Sequence, residues 1–276
     1  MRSLAAVFAL ITALSLVACS TPSASPAPTA FVAPSTKITL AGSGGGLEIL
    51  DALLIPFQRA NPDVLLEFLV SSGGEPALRG AQAGEFDLAV LLTANHAGAG
   101  RPGLTLLSLA ADPLVFIRHA DLPLSDLSVA QIRAIYTGRI TNWSAVGGPN
   151  LPIVVLTRNE DNAATHLLRT RIFGREAWQS AAIVLGRAAD LREAVLRTPG
   201  SIGFGSYGDF MLNGLQAQVL TVDGIHPREP NYPIPPRWLV VAYPSAQRDA
   251  LDPLLSYLQS DATRLLLTQN GMVPNE

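Results

Sequence analysis

The sequence predicts an α/β fold in which a largely parallel sheet is covered by helices. Three observations predict it. Apolar runs of strand length alternate with apolar residues at helical spacing, the first part of the exported chain reads βαβαβ, and the junctions between these segments are rich in Gly and Ser.

Taken in order, Lys37–Ala41 is a short buried strand, Gly42–Gly46 a glycine loop, and Leu47–Ala60 a helix with Leu47, Leu50, Leu53, Leu54 and Phe57 on one face. Asn61-Pro62-Asp63 stops that helix. Val64–Val70 is the second strand, and Ser71-Ser72-Gly73-Gly74 leads through Pro76, suited to a first helical turn, into a helix ending near Ala83. Glu85–Leu92 is the third strand. Beyond it, Pro113–His119 reads as a strand, Ser128–Tyr136 as a helix, Ile153–Thr157 as a strand and Thr165–Phe173 as a helix, with the polar loop Arg158–Ala164 between the last two. Arg187–Leu196 is a helix, Ser201–Gly205 and Trp238–Tyr243 are strands, and Leu251–Asn270 is a closing helix with Gly271 as its C-cap. No sustained repeat is present.

The N-terminus reads as a lipoprotein signal peptide over residues 1–18. One positive charge at Arg2 precedes an apolar run from Leu4 to Ala18 that is too short to span a bilayer as a mature helix, and Leu16-Val17-Ala18-Cys19 resembles a bacterial lipobox with Cys19 as the lipidated residue. With a single Cys there is no intramolecular disulfide. Residues 19–36 are Pro, Ser and Ala with few large apolar side chains, a composition expected of a disordered tether. The expected location is therefore extracytoplasmic, held to the bacterial cell membrane through the N-terminal lipid.

Net charge is −3, with 15% charged and 48% hydrophobic residues, which argues against nucleic acid as a partner. Lys37 is the sole lysine, so cations are supplied by Arg, whose planar fork suits oxyanions. His96, His119, His166 and His226 lack zinc spacing, and neither a cofactor motif nor a nucleophile with an acid/base partner stands out. The chain reads as a binding protein, without a cofactor, and not as an enzyme.

Three strand-to-helix junctions, Gly42–Gly46, Ser71–Gly74 and Arg158–Thr165, carry small or hydroxyl residues. Helix N-termini present unpaired N–H groups and partial positive charge, so junctions converging at the carboxyl edge of a sheet make an anion site. Taken singly, Ser and Gly at these places are also ordinary caps.

Leu127-Ser128, Gln131-Ile132, Ile135–Trp143 (IYTGRITNW) and Val146–Gly148, with Thr198–Phe204 (TPGSIGF), Tyr232-Pro233-Ile234, Arg237 and Asn270–Pro274, occur in an order that resembles the phosphate-specific ABC transporter substrate-binding proteins of the type 2 periplasmic binding protein superfamily. The resemblance runs from about Lys37 to Pro274. It implies two α/β lobes with a ligand cleft between them, residues 37–118 and 236–276 forming the first lobe and 119–235 the second. It places Trp143 in a packed loop away from ligand, and it implies a monomer whose partners are inorganic phosphate or another oxyanion and the ABC permease subunits.

The implied ligand residues are Ser43, Gly44, Ser71, Ser72, Arg158, Asp161 and Thr165. Several positions depart from the family's pattern. Gly44 replaces a Thr, Leu91-Leu92 stand where a polar residue is expected, Ala163-Ala164 replace Ser-Gly, and the Arg position falls on Arg158 or Asn159. Each lost donor leaves roughly 1 to 3 kcal/mol of desolvation uncompensated for a buried oxygen. Alternative expectations are therefore the same fold with a less charged solute, or a membrane sensor or scaffold with a vestigial cleft.

Overall fold

A computed structural model describes residues 36–69, 73–94, 100–160 and 162–275. Cys19, Ser71, Ser72, His96 and Asp161 lie outside the described residues, which all fall within the unit Ala33–Glu276. β1 (Thr36–Gly42) lies between β2 (Val64–Phe68) and β3 (Leu88–Thr93) and is parallel to both, so the leading βαβαβ run forms a parallel sheet with α1 (Gly44–Ala60) and α2 (Gly74–Ala83) as its connections. β4 (Leu104–Asp112), not foreseen from the sequence, and β11 (Arg237–Pro244) extend this sheet antiparallel, giving the order β12-β4-β11-β3-β1-β2 with β12 at Val273–Pro274.

The second sheet has the order β5-β9-β7-β8, built from β5 (Leu114–Arg118), β7 (Val154–Arg158), β8 (Ile183–Leu185) and β9 (Ser201–Ser206). A two-strand ribbon of β6 (Asp126–Leu127) and β10 (Thr221–Val222) flanks it. The fold is therefore the two-lobed type 2 arrangement. β5 pairs with β9 in the second sheet, whereas the sequence reading assigned residues up to 118 to the first lobe. An apolar run such as LVFIR does not say which sheet it joins. The chain crosses at Pro113, which offers no N–H to a ladder, and returns at Arg237 opposite Asp112.

The helices of the second lobe are α3 (Val129–Tyr136), α4 (Ala163–Leu168), α5 (Ala188–Arg197) and α6 (Tyr207–Leu212). α4 runs into a π turn, Arg169–Phe173, where a single helix from Thr165 to Phe173 was expected. The expected closing helix is two, α7 (Arg248–Leu258) and α8 (Asp261–Gln269), because Ser260 accepts a hydrogen bond from Thr263 N and starts a new helix.

Each lobe has its own core. Ile49, Leu50, Leu53 and Leu54 of α1 pack under the first sheet with Leu88, Val90 and Leu239, and Phe116, Tyr136, Trp143, Phe173 and Phe204 fill the second. Trp143 is fully buried and its Nε1 donates to Gly200 O at 2.9 Å, so the aromatic ring in the polar IYTGRITNW stretch pins one loop to another.

Candidate functional site

The first junction is shaped by a close approach of two strands. A Cβ on Gly42 would fall 2.0 Å from Val90 O, so only glycine lets β1 end against β3. Ser43 then turns the chain: its N–H donates to Val90 O at 2.9 Å and its Oγ accepts from Leu92 N at 3.1 Å. The helix starts at once, at Gly44 and not at Leu47, so the glycines expected in a loop form the first turn of α1. No side chain caps it.

α2 opens after Gly73 and α5 after Arg187, again without a side-chain cap. All three first turns border one cavity of about 640 Å³ between the lobes, lined at these ends by Gly44 and Gly45, by Gly73, Gly74 and Glu75, and by Gly186 and Ala188. Other helices are closed by their own chain: α3 by Ser128, α4 by Asn162, α6 by Ser206 and α8 by Ser260, while α7 grows out of a 3-10 turn at Ser245–Gln247. Among the described residues no side chain caps these three helices, and their positive dipole ends border the same space.

Of the sequence-derived residues, Ser43, Gly44 and Arg158 line this cavity, as does Asn159, the alternative for the Arg position. Arg158, at the end of β7, donates from Nε to Leu185 O at 3.0 Å and from Nη2 to Gly186 O at 2.8 Å, which fastens the entry of α5 beside the cleft. Thr165 does not line the cavity. It is fully buried, its N–H donates to Asn162 Oδ1 and its Oγ1 lies 3.5 Å from Arg158 O.

Asn162 does the capping at the third junction, taking Ala164 N at 3.0 Å as well, and so occupies N–H groups that the other helices leave open. The signal for it was an Asn directly before a helical run. Leu91, Leu92 and Thr93 at the end of β3 line the first-lobe wall, with Thr93 supplying a hydroxyl that the sequence reading did not single out.

Carboxylates near the cleft are neutralised. Glu160 receives Arg169 Nη2 at 2.6 Å and Trp178 Nε1 at 2.6 Å, and the Arg169 hydrogen bond holds its carboxyl below the usual range. It does not line the cavity. Glu75 does, and it is bonded to Arg79 and Arg101.

At the crossover, Arg237 lines the cavity and donates to Asp112 Oδ2 at 3.1 Å, while Ser206 Oγ and Gly208 N both donate to Asp112 Oδ1 at 2.9 Å. Burial raises the Asp112 pKa, against the pull of Arg237 and these donors. Arg237 Nε is buried without a hydrogen-bond partner. Beside this pair, Arg192 of α5 donates to Asp209 at 2.6 Å and reaches Glu48 of α1 at 3.3 Å, linking the lobes. Burial pushes Asp209 up to about 6, helped by Glu48 and opposed by Arg192. Neither cluster was visible in the sequence, because its members are scattered along the chain. Among the described residues no group of three His, Cys, Asp or Glu is placed to hold a metal, and no helix is long and apolar enough to cross a membrane.

A family model described as a PBP superfamily domain matches residues 23–261. The phosphate-binding protein PstS of Bacillus subtilis (strain 168) is 24% identical over 252 residues, covering 87% of this chain and 81% of the relative. Among solved structures, a phosphate ABC transporter substrate-binding protein with bound phosphate from Clostridium perfringens aligns with a TM-score of 0.73 at 21% identity, over 87% of this chain and 100% of that one. The regulatory domain of MetR, a LysR family regulator from N. meningitidis, aligns with a TM-score of 0.57 at 14% identity, over 87% of this chain and 99% of that one. These structural likenesses show a shared fold. With the family model spanning most of its length, the chain belongs to the PBP superfamily.

Proposed function

We propose that this protein is the solute-binding component of an ABC importer and takes phosphate or a related oxyanion into the cleft between its lobes. The observation that carries the reading is the convergence on one cavity of the N-termini of α1, α2 and α5, which have no side-chain cap among the described residues and where a bound anion would supply acceptors. Arg158 and Arg237 add cationic walls, and Ser43 a hydroxyl. Ser71, Ser72 and Asp161 belong to the same proposal by their place in the sequence, at the junctions that open α2 and α4. The phosphate-binding names of the relatives at low identity point the same way.

In this reading the chain is exported, anchored through a lipid on Cys19, and hands its ligand as a monomer to permease subunits. Binding, and not turnover, is its work. The test is calorimetric titration of orthophosphate, sulfate and organic phosphonates into purified protein freed of phosphate, with Arg158→Ala as control. Micromolar or tighter binding of at least one tetrahedral oxyanion, weakened in the control, is the expected outcome. Absence of heat with every one of them would end the reading.

A further inference from the structure

The cleft has an apolar face set directly against its anion-binding ends. Leu92 Cδ1 lies 3.3 Å from where a Cβ on Gly45 would sit, in the first turn of α1. Leu91 Cδ2 lies 2.8 Å from the corresponding point on Gly74, in the first turn of α2. Both leucines line the cavity, and Phe204 and Phe210 line it from the second lobe. Arg237, paired with Asp112, also lines the cavity.

An orthophosphate ion needs a donor or acceptor for each of its four oxygens once it is enclosed. Here the hydroxyls expected on the walls are lost to Gly44 and the Ala163-Ala164 pair, and methyl groups abut two of the three helix ends. An oxygen turned toward Leu91 or Leu92 is stripped of water and given nothing in return. A carbon substituent in that position makes contact instead. The volume of about 640 Å³ also leaves space for an organic body beyond a single tetrahedral head.

Resting on the oxyanion reading above, we infer that the cleft selects a monosubstituted tetrahedral oxyanion, a phosphonate or phosphate monoester whose apolar substituent lies against Leu91 and Leu92, over orthophosphate. The head group sits on the first turns of α1, α2 and α5. The leucines set the specificity.

The experiment titrates the purified full-length protein, and its Leu92→Thr and Leu91→Thr variants, with orthophosphate, methylphosphonate, phenylphosphonate and phenyl phosphate. Phenylphosphonate or phenyl phosphate binding about 10-fold or more tighter than orthophosphate is expected, and the arm that wins separates phosphonate from ester. At least one threonine variant, shown by its cooperative thermal transition to be folded, is expected to lose that preference while still binding orthophosphate. Orthophosphate binding as tightly as the organic anions to the unsubstituted protein overturns the inference and leaves the oxyanion reading standing. A preference that survives in both variants overturns the role given to the leucines. No binding of any probe overturns the inference, and the sulfate titration above then decides the oxyanion reading.

Discussion

Asp112 and Arg237 form an ion pair of 3.1 Å where the chain crosses between its lobes, with 0% and 6% of the two residues exposed. One residue ends the strand that leaves the first sheet and the other begins the strand that returns to it. Buried this deeply, the pair adds little net stability, because desolvation of both charges offsets most of their attraction.

Removing one partner should therefore be far worse than removing both. Asp112→Ala leaves a buried guanidinium unpaired and is expected to lower unfolding free energy by about 3 to 5 kcal/mol, whereas Asp112→Asn with Arg237→Met together, which keeps an acceptor for Ser206 Oγ and Gly208 N, should recover much of that loss. Urea titration of the three proteins measures it. A double variant as unstable as the single would contradict the account.

Asp209 gives stability an unusual pH dependence. Its folded pKa is raised from 3.8 to about 6, so the folded state holds the proton more tightly than the unfolded chain. Stability from this group is fully present below about pH 4 and is lost as pH rises through about 6, by up to about 3 kcal/mol. Asp209→Asn should abolish this component. The check is the difference in urea midpoint between the two proteins across pH 4 to 7, which should narrow toward the acid end.

Trp143→Phe should cost about 2 kcal/mol, since a fully buried indole loses part of its packing and its bond to Gly200 O. Ligand affinity should stay unchanged, because Trp143 lies in the second core and does not line the cleft. A weakened affinity with normal stability would refute that separation.

Thr165→Val tests a residue singled out from its place at a junction. Its hydroxyl faces Arg158 O and no part of it lines the cavity, so the variant should lose about 1 kcal/mol of stability and keep its oxyanion affinity. Titration of the variant against Arg158→Ala gives the comparison.

Much of the framework was legible in the sequence because periodicity reports which face is buried, and the run Lys37–Leu92 has clean changes of period with glycine between them. β4 escaped because LTLLSLAAD is paired by β11, which comes from the far end of the chain. The break between α7 and α8 was hidden for a related reason: Ser260 sits inside a continuing apolar pattern, and only its hydrogen bond to Thr263 N shows it to be a cap. At the site, the junction glycines announced themselves, and Ser43, Gly44 and Arg158 lie on one cavity. Asn162 stands directly before a helical run, but with that helix expected to begin at Thr165 the cap was passed over. The ion clusters around Asp112 and Asp209 gave no sequence signal, since nothing local marks a carboxylate whose partner lies on another element.

The three helices without caps carry one more consequence, for the lifetime of the protein. A missing cap costs a helix roughly 0.5 to 2 kcal/mol, so these first turns are expected to open to proteases more readily without a ligand than with one. On the proposed function, an anion seated on them would complete the turns and stabilise the folded chain as its concentration exceeds the dissociation constant. Occupancy would then decide how long each copy survives, and the number of copies would follow the supply of ligand.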